Sequence, residues 1–239
     1  MADYAPSYDR SAVVAAEAGA DARARFIRLT YANLAGAILA FMGIEAVLLN
    51  LPQTPALVNS MIGGRYSWLM VLGAFMVVSW IANNWAQSST SLPTQYFGLG
   101  LYVAAEAVIM VPLLYIAERF APGAIPQAAF LTAFLFGGLT LTVFFTKADF
   151  SFMGGALSLI GWAVMAMIAA SILFGFNLPV TLFCGAMVVF AGACVLYHTS
   201  NVLYHYGVHQ YVAAALALFA SVALMFWYIL QLIMSLQRR

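Results

Sequence analysis

Apolar residues run along this chain in long unbroken stretches, and residues 150–237 contain no Asp, Glu, Lys or Arg. Such a run has no charged face to turn to water, and it lacks the strict alternation of a barrel strand. In hydrocarbon every backbone N–H and C=O must be satisfied within the segment itself, so the predicted elements are helices of about 20 residues. Seven windows meet that requirement: Leu29–Leu51, Ser67–Asn83, Thr94–Ala117, Pro126–Thr146, Ser151–Phe174, Pro179–Ser200 and Tyr211–Leu236. The expected fold class is all-α, a polytopic seven-helix transmembrane bundle whose first partner is the lipid bilayer.

The breaks between windows have local causes. Pro52 and Pro55, the Gly63-Gly64-Arg65 triplet, Pro122-Gly123 with Pro126, and Asn177-Leu178-Pro179 each make a continued helix costly. The connection from Tyr204 to His209 is aromatic and uncharged enough to dip back into the membrane, so a re-entrant segment over 201–210 stays open. Residues 1–28 carry Asp3, Asp9, Arg10, Glu17, Asp21, Arg23, Arg25 and Arg28 without an apolar core, which reads as a polar amino-terminal arm rather than a secretory signal. Residues 29–239 then form the transmembrane domain.

Composition sharpens this picture at a few points. With 65% hydrophobic and 7% charged residues, a mean hydropathy of +0.96 and a net charge of +1, the chain offers no basic surface for nucleic acid. Counting Lys and Arg near the span ends, an amino terminus inside places Arg10, Arg23, Arg25, Arg28 and Lys147 on the cytoplasmic side, against Arg65, Arg119, Arg238 and Arg239 outside. The basic cluster before the first span favours that orientation. Cys184 and Cys194 lie ten residues apart on one predicted helix, too far for a disulfide. Gly36 with Gly43 and Gly185 with Gly192 recur at seven-residue spacing, which predicts small-residue contacts inside the bundle. Pro112 is expected to kink the third span.

Polar residues inside the windows are the candidate chemistry. Glu45 and Glu106 lie well within the first and third spans, where a charged side chain costs about 2.5–3.5 kcal/mol or more. No basic residue lies deep in any span to pair with them, so they are expected to be protonated, near the surface or facing a polar cavity. His198 is the embedded histidine, either bonded to a neighbouring polar group or responsive to pH. His205 and His209 have the i, i+4 spacing of two helical metal ligands, with Gly207 between them weakening the helix; no metal site and no cofactor is assigned. A retinal protein needs a Lys in its last span, and Lys147 is the chain's single Lys. No G-x-S-x-G serine motif occurs, and the three histidines fall within twelve residues, which does not suit a three-histidine zinc hydrolase. The chain therefore reads as a non-enzyme.

Two stretches carry a resemblance. Leu131–Gly138 leading into Thr146-Lys147-Ala148-Asp149-Phe150-Ser151-Phe152-Met153-Gly154-Gly155 resembles the Bax inhibitor family pattern of an apolar helix ending in T-[KR]-x-D-[FM]-S-F-x-G-G. Leu196-Tyr197-His198-Thr199-Ser200-Asn201, followed by Tyr211–Phe219, resembles the bacterial YccA branch, to which the Thr199-Ser200-Asn201 triplet points. Arg28–Tyr31 and Gly98–Pro112 add to the likeness. The resemblance implies six helices around a central hydrophobic one in a bacterial cytoplasmic membrane. It also implies one of two roles: a pH-sensitive calcium leak gated by two aspartates on the last two spans, or interaction with a membrane AAA protease of the FtsH type. Where the channel-type members carry those aspartates, this chain has His198 and Ser221. A His with a Ser is not an acid pair sharing a proton, and it offers no carboxylate to calcium. The protease interaction is thus the first expectation, and a pH-dependent calcium or proton leak through His198, Glu45 and Glu106 the alternative.

Overall fold

The structure, a computed structural model, describes residues 14–64, 66–88, 91–175 and 179–237. Eight helices follow in order: α1 (Ala20–Asn50), α2 (Thr54–Ile62), α3 (Ser67–Ala86), α4 (Leu92–Phe120), α5 (Ala124–Thr146), α6 (Gly154–Phe174), α7 (Val180–Tyr204) and α8 (Tyr211–Gln237), with a 3₁₀ turn at Ser151–Met153 before α6. All but α2 are long and apolar enough to cross a membrane. The seven-span expectation holds, and the chain is a multi-pass membrane protein.

Two boundaries differ from expectation. The arm does not extend to residue 28, because α1 already starts at Ala20. Ala20-Asp21-Ala22-Arg23-Ala24-Arg25 is rich in the strongest helix formers, and Asp21 in the first turn suits the positive end of the helix dipole. Phe26 is buried there while Arg25 and Arg28 remain exposed. The second difference is α2, inside a stretch expected only to break the chain. Pro55 stands at the start of that helix, where its missing N–H costs nothing. The Thr54 hydroxyl donates to the carbonyls of Leu48 and Leu51 and ties the turn to the end of α1. Arg10, Arg65, Arg238, Arg239 and the Asn177-Leu178 break lie outside the described residues.

Helix α8 is the centre of the bundle. Two-thirds of its span is buried, the largest share among the seven, and it packs against α1, α3, α4, α5 and α7. Half of the α4 span is buried, whereas α6 has the smallest buried share and packs mainly on α7. Phe145, Phe152 and Phe174 stand about four-fifths exposed at helix ends and flanking turns, a surface suited to lipid rather than water.

Seven antiparallel spans place the segment before α1, the α5–α6 connection and the α7–α8 connection on one side, with α2 and the α4–α5 turn on the other. Hydrogen bonds agree with this. The Ala15 N–H donates to the Tyr206 carbonyl at 2.9 Å, and Val14 bridges to Gly207. Residues 205–210 form a short turn between α7 and α8, not a re-entrant segment.

Glycine packing also departs from expectation. A Cβ at Gly36, Gly43 or Gly185 would meet nothing within 4 Å, so those positions do not mediate helix contacts, whereas at Gly192 it would stand 3.3 Å from Leu139 Cδ1 of α5, a small-residue contact as expected. The close approach is at Gly98, where a Cβ would stand 2.6 Å from both the Ala82 carbonyl oxygen and the Ala86 nitrogen of α3. Backbone cannot yield as a side chain does, so α3 and α4 pack at this distance only with Gly98. Pro112 sits buried within an unbroken α4, leaving the carbonyl one turn earlier without its usual donor.

Gly98→Ala is expected to destabilise the protein by about 1–3 kcal/mol, while Gly185→Ala changes it by less than about 0.5 kcal/mol. Thermal unfolding in detergent micelles checks the pair; equal melting of the two variants would contradict this packing.

Candidate functional site

The motif from Thr146 to Gly155 is a clasp between α5, α6 and the end of α7. Helix α5 stops because Lys147 turns into the left-handed region, φ 52°, an uncommon conformation for a residue with a side chain. The Thr146 hydroxyl donates to the Thr142 carbonyl at 2.7 Å. The Lys147 carbonyl accepts from the Tyr204 hydroxyl of α7 at 2.8 Å. Two residues on, Asp149 Oδ1 accepts the Ser151 N–H at 2.9 Å, an Asx turn that starts the 3₁₀ turn and then α6.

Asp149 also binds across to α7. Its Oδ1 accepts the Ser200 hydroxyl at 3.0 Å, and Ser200 Oγ in turn accepts the Phe150 N–H at 2.8 Å. His205 Nε2 lies 3.3 Å from Asp149 Oδ2. The Ser151 backbone N–H above all, then the hydroxyls of Ser151 and Ser200 and the His205 ring, hold the Asp149 carboxyl down at about 2. Gly154 completes the clasp, since a Cβ there would come within 2.9 Å of the Tyr197 ring. Gly155 has open space beside it. Asn201 contributes its carbonyl, which accepts from His205 N and Tyr206 N at 2.8 and 3.0 Å.

The remaining candidates do not converge. His198 lies six residues before the end of α7, about 9 Å along the axis; its Nδ1 is buried without a partner and its ring packs edge-on against Tyr197. Ser221 is buried on α8, and its hydroxyl is spent on the Ala217 carbonyl of its own helix at 3.0 Å. His205 and His209 share no helical face, because α7 ends at Tyr204. Among the described residues no group of three His, Cys, Asp or Glu side chains is placed to hold a metal.

Glu45 and Glu106 are within electrostatic reach of each other but occupy separate cavities. Glu106, 8% exposed, lies beside Tyr102 one turn earlier and lines a cavity of about 340 Å³ between α3, α4, α6, α7 and α8. Glu45, 5% exposed, lines a cavity of about 450 Å³ between α1, α4, α5 and α8, and neither of its oxygens has a partner. A row of ring contacts joins the two: Phe41 meets Phe219 at 6.0 Å, Phe219 meets Tyr102 at 6.2 Å, and Tyr102 meets Phe75 at 6.1 Å. Phe41 and Phe219 wall the Glu45 cavity, whereas Tyr102 and Phe75 wall the other.

One polar cluster escaped the sequence reading. The Tyr31 hydroxyl of α1 lies close to those of Thr140 on α5 and Thr199 on α7, yet none of the three has a partner at hydrogen-bonding geometry. Threonines in apolar helices commonly bond their own backbone, so their residue type carried no signal that these three meet.

A bundle of seven membrane helices with the hydrophobic α8 buried at its centre, and with its α5–α6 connection clasped to α7, defines a polytopic integral membrane protein without a metal-ligating cluster among its described residues. The family model described as "Inhibitor of apoptosis-promoting Bax1" matches residues 23–239, and the chain belongs to the Bax inhibitor family. No curated protein and no solved structure matches it.

The Asp149 carboxyl sits lower in the folded protein than its ordinary 3.8. The stabilisation it gives is therefore full above pH about 3.8 and is lost as pH falls through about 2. Wild type should melt above Asp149→Asn at pH 7, with the margin closing toward pH 2 in unfolding scans; a margin independent of pH would show that the carboxylate does not hold the clasp.

Proposed function

We propose that this Bax inhibitor family protein is a non-catalytic membrane protein of the YccA type, placed in a bacterial cytoplasmic membrane with its amino-terminal side inside, that binds and modulates an FtsH-type AAA protease. The observation that carries this reading is the arrangement of acids. His198 and Ser221 stand where channel-type members have aspartates, and the two intramembrane carboxyls line different cavities. An acid pair that shares a proton is thus missing, which weighs against a calcium gate. The interaction reading is supported by the polar face on the amino-terminal side, where residues 14–15, the Asp149 clasp and the turn 205–207 are tied to one another by hydrogen bonds.

A second reading, a pH-dependent proton leak, draws support from the unpartnered hydroxyls of Tyr31, Thr140 and Thr199 beside the His198 stretch of α7. Calcium has no comparable support, because a hard cation seeks several oxygen ligands with charge among them.

Affinity purification from bacterial membranes tests the first reading. The FtsH-type protease should co-purify with the tagged wild-type protein and less with an Asp149→Ala, Ser200→Ala variant that opens the clasp. Enrichment no greater than with an unrelated seven-span protein would overturn it.

A further inference from the structure

We infer that the Glu45 cavity is a binding site for a lipophilic organic cation, an ammonium or phosphonium carried on an apolar body, that arrives from the bilayer. The site is built from one acid and many rings. Glu45 is turned inward from α1 with both carboxyl oxygens buried and unpartnered, and Phe41, Phe136, Phe219 and Phe226 stand among the walls. Aromatic faces attract a cation, and more strongly where water is absent. The second polar group in the wall is the Thr132 hydroxyl, also buried without a partner.

The direction of access follows from exposure on the same helices. Met42 and Ala46, flanking Glu45 on α1, and Ala129 and Ala133, on α5, are exposed on the outside of the bundle while lining the cavity. The mouth therefore opens sideways between α1 and α5, toward lipid, and small alanines leave it wide. A hydrated inorganic ion would have to leave its water in hydrocarbon to use such a mouth, whereas a cation on an apolar body already partitions there.

Charge complementarity selects the ligand's sign. No Lys, Arg or His lines the cavity, so a Glu45 carboxylate has no counter-ion within the protein. Of the titratable groups on the four lining helices, Glu106 of α4 is the one that reaches Glu45 electrostatically, and it is another acid. The described lining of α5 and α8 contributes Thr132 and apolar side chains alone. A proton or a ligand cation must then neutralise Glu45, and the two compete for the same oxygens. Binding tightens as pH rises and weakens as it falls.

The experiment is equilibrium binding of radiolabelled tetraphenylphosphonium to the full-length protein in lipid nanodiscs. Wild type should bind saturably at pH 8.5 and at least about tenfold more weakly at pH 5.5. Glu45→Gln should lose that binding, and Ala133→Phe, which plugs the mouth and keeps the acid, should lose it too. Glu106→Gln, in the neighbouring cavity, removes an acid that reaches Glu45 and should bind at least as tightly as wild type does. Absence of saturable binding to monodisperse wild type, undiminished binding by Glu45→Gln, or loss in Glu106→Gln alone would each overturn the assignment. If Glu45→Gln does not fold, Ala133→Phe decides, since wild-type affinity in that variant excludes this cavity.

Discussion

Every carboxyl that enters the hydrocarbon of this protein does so without a basic side chain to meet it, and the rest of the structure is arranged around that constraint. The described Lys and Arg residues stand near helix ends or in turns, with Arg23, Arg25 and Arg28 in the opening turns of α1, so the interior must solve the problem with burial, hydroxyls and rings. Glu106 lies beside the Tyr102 ring and its cavity. Glu45 takes nothing, and the helices leave a cavity around it instead. The aromatic row through Phe219 of α8 joins the walls of those two cavities, so the central helix both fills the core and sets apart the two acids.

The Asp149 clasp answers a different need. The least buried span, α6, has little of its own surface in the core and would be weakly held by packing alone. The preceding turn compensates: an aspartate caps it, Ser200 relays the bond to the Phe150 amide, and Gly154 lets the Tyr197 ring lie flush against the start of α6. Asp149, Ser151, Gly154 and Ser200, among the residues that make the family likeness recognisable, are thus ones that dock a peripheral helix. Their role is architectural, and their position on the amino-terminal side also gives that face a fixed shape.

Much of this was legible in the chain because lipid narrows the possible answers. Long uncharged windows located all seven spans, and the motif residues identified the family with the fold it implies. Charged residues bound the first apolar window at Leu29, yet helix α1 runs back to Ala20, since Ala and Arg are good helix formers on either side of a membrane surface. Helix α2 was missed because Pro55 was read as a breaker, whereas at a first turn it starts a helix. Regular spacing suggests Gly36, Gly43, Gly185 and Gly192 as contacts, but spacing says only that residues share a face, and of the four Gly192 alone meets a neighbouring helix. Gly98, the tighter contact, has no such repeat. Glu45 and Glu106 were visible as unusual, yet their separation depends on which side of α8 each helix lies, and that is a tertiary fact. The same holds for Tyr31, Thr140 and Thr199.

Two acids in separate cavities, and a His198 with a Ser221 in place of an acid pair, are proposed not to make a calcium path. Calcium efflux from proteoliposomes of the purified protein, followed with a trapped indicator at pH 6 and pH 8, tests it most directly. The account predicts efflux no faster than from protein-free liposomes at either pH. Efflux that responds to pH and disappears in His198→Ala or in the Glu45→Gln, Glu106→Gln double variant would contradict it.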